Sequence, residues 1–223
     1  MRELLDGTGG VGGLLAAWYG PPDRPAAPVP PLPPLPSGTD RLPSALRAWY
    51  AAASRYPRPV LFNHKVAPVT GLYEDDGQLA FCVDDFEYQE FGAAPGDGDP
   101  VVHRREISDE QAWEPHDDGM RLSEFLPALL VHETVEGARY GAAADGLTPD
   151  RLGPLLAPLR RLSGPELFTA QYAGEGLLAL AWPRGDVWDV RIAARDEALL
   201  RYVDGVAGVR RGPGEWCPPE DRG

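Results

Sequence analysis

Two aspartates stand two residues apart in Gly96-Asp97-Gly98-Asp99-Pro100-Val101-Val102. Carboxylates at that spacing can share a divalent cation, work as an acid–base pair, or sit in a turn that feeds a strand. A calcium loop would continue with a third oxygen ligand, a central glycine and a distal glutamate. Here a proline and two valines follow at once, and Pro100 presses Asp99 toward extended backbone. Nothing nearby in sequence resembles a nucleophile or a metal shell. The stretch reads as a turn entering a buried strand.

The other candidates for chemistry fail on spacing. His132-Glu133-Thr134-Val135-Glu136 resembles a zinc-hydrolase motif, but the metal needs a second imidazole where Glu136 stands. Gly7-Thr8-Gly9-Gly10-Val11-Gly12 spells a dinucleotide-binding fingerprint. That motif needs a strand before it, and only six residues precede Gly7. No Gly-Lys-Ser/Thr follows, which rules out a phosphate loop. His64, His103 and His116 have no mutual ligand spacing, and no G-x-S-x-G occurs. The expectation is a chain with no catalytic residue, metal or cofactor, and no enzyme.

Charge says more. Residues 74–118 hold 15 acidic and two basic residues, so this segment alone carries the −13 formal charge of the 223-residue chain. A focused negative field repels nucleic acid and attracts basic partners. Without a partner it is a solvated acidic face. No apolar run approaches the roughly 20 residues that span a bilayer. Glu3, Asp6 and several glycines interrupt the N-terminus, which makes a poor signal peptide. Cys82 and Cys217 imply no disulfide framework. A soluble cytoplasmic protein with no membrane or direct nucleic-acid contact is expected; its oligomeric state is left open.

The elements that must position these residues can be read in order. Residues 11–19 suit a short helix. Residues 21–36 contain nine prolines and read as an extended surface spacer. Over 42–56, Pro43 opens a helix with Leu46, Trp49, Tyr50 and Ala53 on one face. Strands are expected at 60–62, 69–74 and 78–83, with Asp75-Asp76-Gly77 as the hairpin turn. The alternation in 86–92 places Phe86, Tyr88 and Phe91 against a core. Residues 100–105 read as a strand, and 122–141 as the clearest helix, with Ser123 as its cap. Thr148-Pro149-Asp150 starts a helix that Gly153, Pro154 and Pro158 chop into short turns. Residues 166–173, 177–182 and 187–193 follow as strands, 196–206 as a helical pattern, and the tail after Gly208 as loose. Blocks of helices and strands argue α+β, with a mostly antiparallel curved sheet flanked by helices. The expected organisation is an N-terminal helix and Pro-rich arm over 1–41, one domain over 42–210, and a loose tail over 211–223.

The order of these pieces resembles the SUKH superfamily, the group named for yeast cell-wall-synthesis regulators and bacterial immunity proteins. Leu42-Pro43 precede a helix with the aromatic pair Trp49 and Tyr50. A hairpin ends in Leu79-Ala80-Phe81, and Gln89 leads to Phe91-Gly92 where the family carries Trp-Gly. Asp99-Pro100-Val101 follows with one proline fewer, then Trp113, then the helix from Leu122 through Phe125 and Leu126. The resemblance covers residues 42–140 and excludes the Pro-rich arm. It implies an α+β protein-binding domain without catalysis, whose bacterial members neutralise toxins, often nucleases, by direct binding. Its aromatic positions are assigned to core and signature. The expected partner face is acidic: Asp84, Asp85, Glu87, Glu90, Asp97 and Asp99. A regulatory adaptor for a housekeeping protein, or an enzyme with an unrecognised site, stand as alternatives.

Overall fold

The computed structural model describes residues 10–57, 60–84, 86–107, 111–162, 169–215 and 217–218. In chain order these form α1 (Gly10–Tyr19), α2 (Ser44–Ala53), β1 (His64–Val66), β2 (Tyr73–Asp75), β3 (Gln78–Asp84), β4 (Gln89–Ala93), β5 (Val102–Glu106) and β6 (Glu114–Pro115). There follow α3 (Leu122–Glu136), β7 (Tyr140–Leu147), α4 (Pro149–Leu156), β8 (Arg160–Arg161), β9 (Ala170–Gly174), β10 (Leu177–Arg184), β11 (Val187–Ala194) and β12 (Arg210–Gly212). The class is α+β with antiparallel sheets, as expected. The chain divides into two compact units, residues 21–127 and residues 1–20 with 128–223, and it passes from one to the other within α3.

In the first unit the Pro-rich arm is tied down. Arg24 donates to the carbonyls of Ser54 and Tyr56, and the Ala27 amide donates to Ser54 Oγ at 3.0 Å. These bonds place a cation just past the C-terminus of α2, where the helix dipole favours it. The helix itself is alanine-rich and buries Leu46 and Trp49 one turn apart. Tyr50 donates its hydroxyl to Ala67 O at 2.6 Å, and burial pushes that phenol up.

The first sheet has the order β1-β3-β4-β5-β6, and β1 and β2 lie end to end along the same edge of β3. Asp76 and Gly77 close the β2–β3 hairpin with φ of 48° and 73°, the left-handed pair that a two-residue turn between twisted strands requires. One face carries the core. Phe81, Phe91 and Phe125 are fully buried, and His116 stands edge-on to both Phe91 and Phe125. Each such burial contributes about 2 kcal/mol. On the other face the Trp113 indole lies on Gly92, where an added Cβ would come within 2.8 Å of the ring.

Several expectations need correction here. Residues 60–62 are not a strand: pairing on β3 starts at His64, opposite Asp84. Residues 69–71 form a 3-10 turn after Pro68, leaving only Tyr73–Asp75 as strand. Phe86 and Tyr88 are 59% and 66% exposed, not core. Strands paired through Val83 and Glu90 need a connection, and Phe86, Glu87 and Tyr88 belong to it.

The second unit carries a sheet in the order β12-β7-β11-β10-β9-β8. Tight turns at Glu175-Gly176 and Gly185-Asp186 join its central strands. Ala179 and Ala181 of β10, with Val190, Ile192 and Ala194 of β11, face a core closed by Leu155 of α4 and by Leu200 and Val203 of the 3-10 helix Glu197–Val203. Leu178 and Leu180 point the other way and are equally buried, so β10 is apolar on both faces. On that second face Gln171 donates to Ala128 O of α3 at 2.8 Å.

Three more corrections fall in this unit. The helix expected over 122–141 stops at Glu136, and Tyr140 opens β7. Gly153 and Pro154 lie inside the uninterrupted α4, because the carbonyl that Pro154 leaves unpaired sits in the exposed first turn. The tail after Gly208 is not loose throughout. Arg210–Gly212 pair with β7, and the Gly214 amide donates to Ala138 O at 2.7 Å. Gly141 permits the approach, since a Cβ there would meet Gly212 O at 2.8 Å.

Candidate functional site

The Asp97 and Asp99 pair does two structural jobs. Asp97 takes Arg41 and Arg47, whose hydrogen bonds hold its carboxyl below the usual range. Asp99 caps α3. Its carboxylate accepts the Ser123 amide at 2.9 Å and the Ser123 hydroxyl at 2.7 Å, while Arg121 donates to its carbonyl. Glu124 accepts the Arg121 amide at 2.9 Å, so a capping box is completed by a residue from a distant segment. Ser123 is therefore the capped residue rather than the cap. Pro100 and Val101 run antiparallel beside Arg121 and Leu122.

Glu90 is 5% exposed and also faces inward. Arg105 donates to it through Nε at 3.0 Å and Nη2 at 2.9 Å, and also binds Asp75. Tyr73 donates its hydroxyl to the other Glu90 oxygen. The guanidinium stacks on Trp113 at 4.3 Å. Burial works against the Arg105 charge, yet Asp75, Glu90 and Tyr73 together hold it above its ordinary range. Burial and the Glu90 carboxylate push the Tyr73 phenol up. This cluster fastens β2, β4 and β5 together on the face that Trp113 covers.

The six expected partner-face acids thus do not form one surface. Asp84 and Glu87 stand at one end of the sheet. Asp97 and Asp99 follow the other end of β4, about 13 Å of strand away. Glu90 is buried between, and Asp85 lies outside the described residues. The signature positions Leu42, Pro43, Trp49, Phe81, Gly92, Leu122, Phe125 and Leu126 are buried, while Tyr50, Pro100, Val101 and Trp113 are half-buried.

What the end of the sheet does present is the β3–β4 connection. The Asp84 carboxylate accepts the amides of Tyr88 at 2.7 Å and Gln89 at 3.1 Å. The Glu87 amide donates to Asp84 O at 3.0 Å, and Glu87 holds φ at 56°, left-handed backbone unusual for a residue with a Cβ. Phe86 and Tyr88 flank it with their rings stacked, centroids 6.0 Å apart and planes 18° apart. The Ile107 amide donates to Tyr88 O at 3.0 Å, which sets the 42%-exposed Ile107 beside them. Exposed Glu106 pairs with Gln89 in register. Sequence reasoning missed Glu106, Ile107 and the outward aromatics. The signal was the loop length: a hairpin through Val83 and Glu90 leaves 86–88 no strand to occupy.

Among the described residues no group of three or more His, Cys, Asp or Glu could hold a metal ion. The near-zincin segment lies on α3 with Glu133 fully buried, and burial raises the Glu136 carboxyl. Cys82 and Cys217 are both buried, and neither is in a disulfide. No helix among the described residues is long and apolar enough to cross a membrane. A cavity of about 440 Å³ in the second unit is lined by Arg139, Tyr140, Glu197 and Arg211, but Arg211 is already paired with Asp204 at 2.6 Å. No protein-family model matches the chain, and no curated protein and no solved structure matches it.

Proposed function

We propose that this chain is a non-catalytic binding protein whose first unit engages a basic protein partner. The resemblance to the SUKH superfamily implies the partner class, a toxin of nuclease type acting in the cytoplasm. The observation that carries the reading is the placement of charge. Residues 74–118 hold the whole −13, and they lie within one compact unit. A nuclease cleft is built to attract phosphates, so an acidic surface competes for the same positive field and associates fast. Neutralisation on this reading is occlusion of the toxin's site, and it needs no chemistry from the chain itself.

The contacts narrow from the six acids first expected. Glu90 is buried, and Asp84, Asp97 and Asp99 serve internal bonds. Among the described acids at the open end of the sheet, Glu87 and Glu106 are the exposed ones. The test is capture from lysate of the source organism at low and high salt, followed by calorimetry with the purified partner. The expected result is one stoichiometric basic protein whose affinity falls in the Glu87→Gln/Glu106→Gln variant and with added salt. Binding that ignores both the charges and the salt overturns the reading.

A further inference from the structure

We infer that Phe86 and Tyr88 are the affinity anchors of this surface, seating in an apolar recess of the basic partner protein while the acids around them govern encounter. The inference rests on the protein-binding reading above. Three observations carry it.

The first is exposure. Phe86, Tyr88 and Ile107 are 59%, 66% and 42% exposed and are joined by stacking and by the Ile107–Tyr88 hydrogen bond. Large apolar side chains gathered on one tip mark an interaction site more often than scattered ones do.

The second is rigidity. Asp84 spends its carboxylate on the amides of Tyr88 and Gln89, and the left-handed Glu87 turns both flanking rings outward. Aromatic anchors with few rotatable bonds on a fixed backbone lose little entropy on binding, and such residues carry most of the energy in protein interfaces.

The third is charge, which selects the occupant. Asp84, Glu87 and Glu106 stand at this end of the sheet, with two exposed cations near them: Lys65, opposite Val83 on β1, and Arg104, two residues before Glu106 on β5. A second copy would bring these acids against their own counterparts. Phosphate-bearing lipid and nucleic acid meet the same repulsion. A protein with an apolar recess rimmed by Lys or Arg gains on both counts.

The experiment places a photo-reactive benzophenone at position 88, as Tyr88→p-benzoylphenylalanine, in the full chain inside its own organism. The cross-linked protein is identified, purified, and its binding rates measured against the wild type, Phe86→Ser/Tyr88→Ser and Glu87→Gln/Glu106→Gln. The expected product is a single basic protein. The aromatic variant loses about 30-fold or more in affinity, through faster dissociation. The charge variant instead slows association and flattens its salt dependence. If the aromatic variant binds within about twofold of wild type while the charge variant weakens, the anchor inference falls and the protein-binding reading stands. Cross-linking to a second copy, to lipid, to nucleic acid or to nothing also overturns the inference. Absence of any captured partner overturns both. The cross-link does not depend on the stability of the serine variant, and both side chains are exposed, so an unchanged melting midpoint is expected for it.

Discussion

Two hairpins share strand β3 and reverse the chain differently. The β2–β3 turn uses Asp76-Gly77, two residues whose types tolerate positive φ, and it presents no large side chain. The β3–β4 connection is longer, puts a glutamate at φ 56°, and displays two aromatics. A chain that only needed to turn had the cheaper solution at hand one strand earlier. The extra residues and the left-handed Glu87 therefore point to what the loop displays, not to the reversal itself. The same contrast runs through the acids: Glu90 faces a guanidinium inside, and Glu87 faces water three residues earlier.

That contrast can be broken in graded steps. The largest effect is expected from Arg105→Met, which strands the buried Glu90 carboxylate. It should cost about 3 kcal/mol by denaturant unfolding, whereas Glu87→Gln should stay within about 0.5 kcal/mol. Equal losses would mean that the inward and outward acids do not differ as described. Next comes Gly92→Ala, whose Cβ drives Trp113 off the sheet; about 1–3 kcal/mol and a red-shifted tryptophan emission are expected. Asp99→Ala removes the cap of α3 and should cost about 1 kcal/mol. No loss there would show that Asp99 was free for a partner after all.

A pH titration sharpens the same map. Burial among Phe91 and Phe125 is the main cause that lowers the His116 pKa, with Arg104 adding to it and Asp117 opposing it. The folded state therefore binds its proton less readily than the unfolded chain. Stability from this residue is complete above the unfolded value of about 6.5 and is lost as pH falls below it. The wild-type midpoint should drop more than that of His116→Leu over this window, and parallel curves would contradict the assignment. The smallest expected effect is a gain. Glu87→Gly relieves the left-handed backbone and should raise stability by about 0.5–1 kcal/mol. A loss instead would mean that Glu87 is held by contacts rather than strained.

Much of the fold was legible because its signals are local. Asp76-Gly77 fixes a hairpin, alanines and a spaced Leu46/Trp49 fix α2, and the glycine turns at 176 and 185 separate three apolar strands. What was not legible depends on partners far away in sequence. Tyr140–Leu147 is mostly alanine and glycine, weak strand formers, and becomes β7 only by pairing with β11. Arg210–Gly212 has no apolar residue and exists as β12 only through β7. The candidate site failed for a related reason. Charge was visible, but the direction each carboxylate faces was not. Asp99 turns to Ser123 of a helix, 24 residues on, and Glu90 to an arginine on the next strand. Phe86 and Tyr88 matched an apolar alternation that the strand register then left outside.

The most direct test is hydrogen exchange of the whole chain, free and bound to its captured partner. Binding through the open end of the first sheet predicts added protection at the amides of Phe86 and Glu87 and around Glu106, with the second unit unchanged. New protection confined to Arg139–Gly141 and Arg211–Gly212, with exchange at 86–88 unchanged from the free chain, would contradict the account.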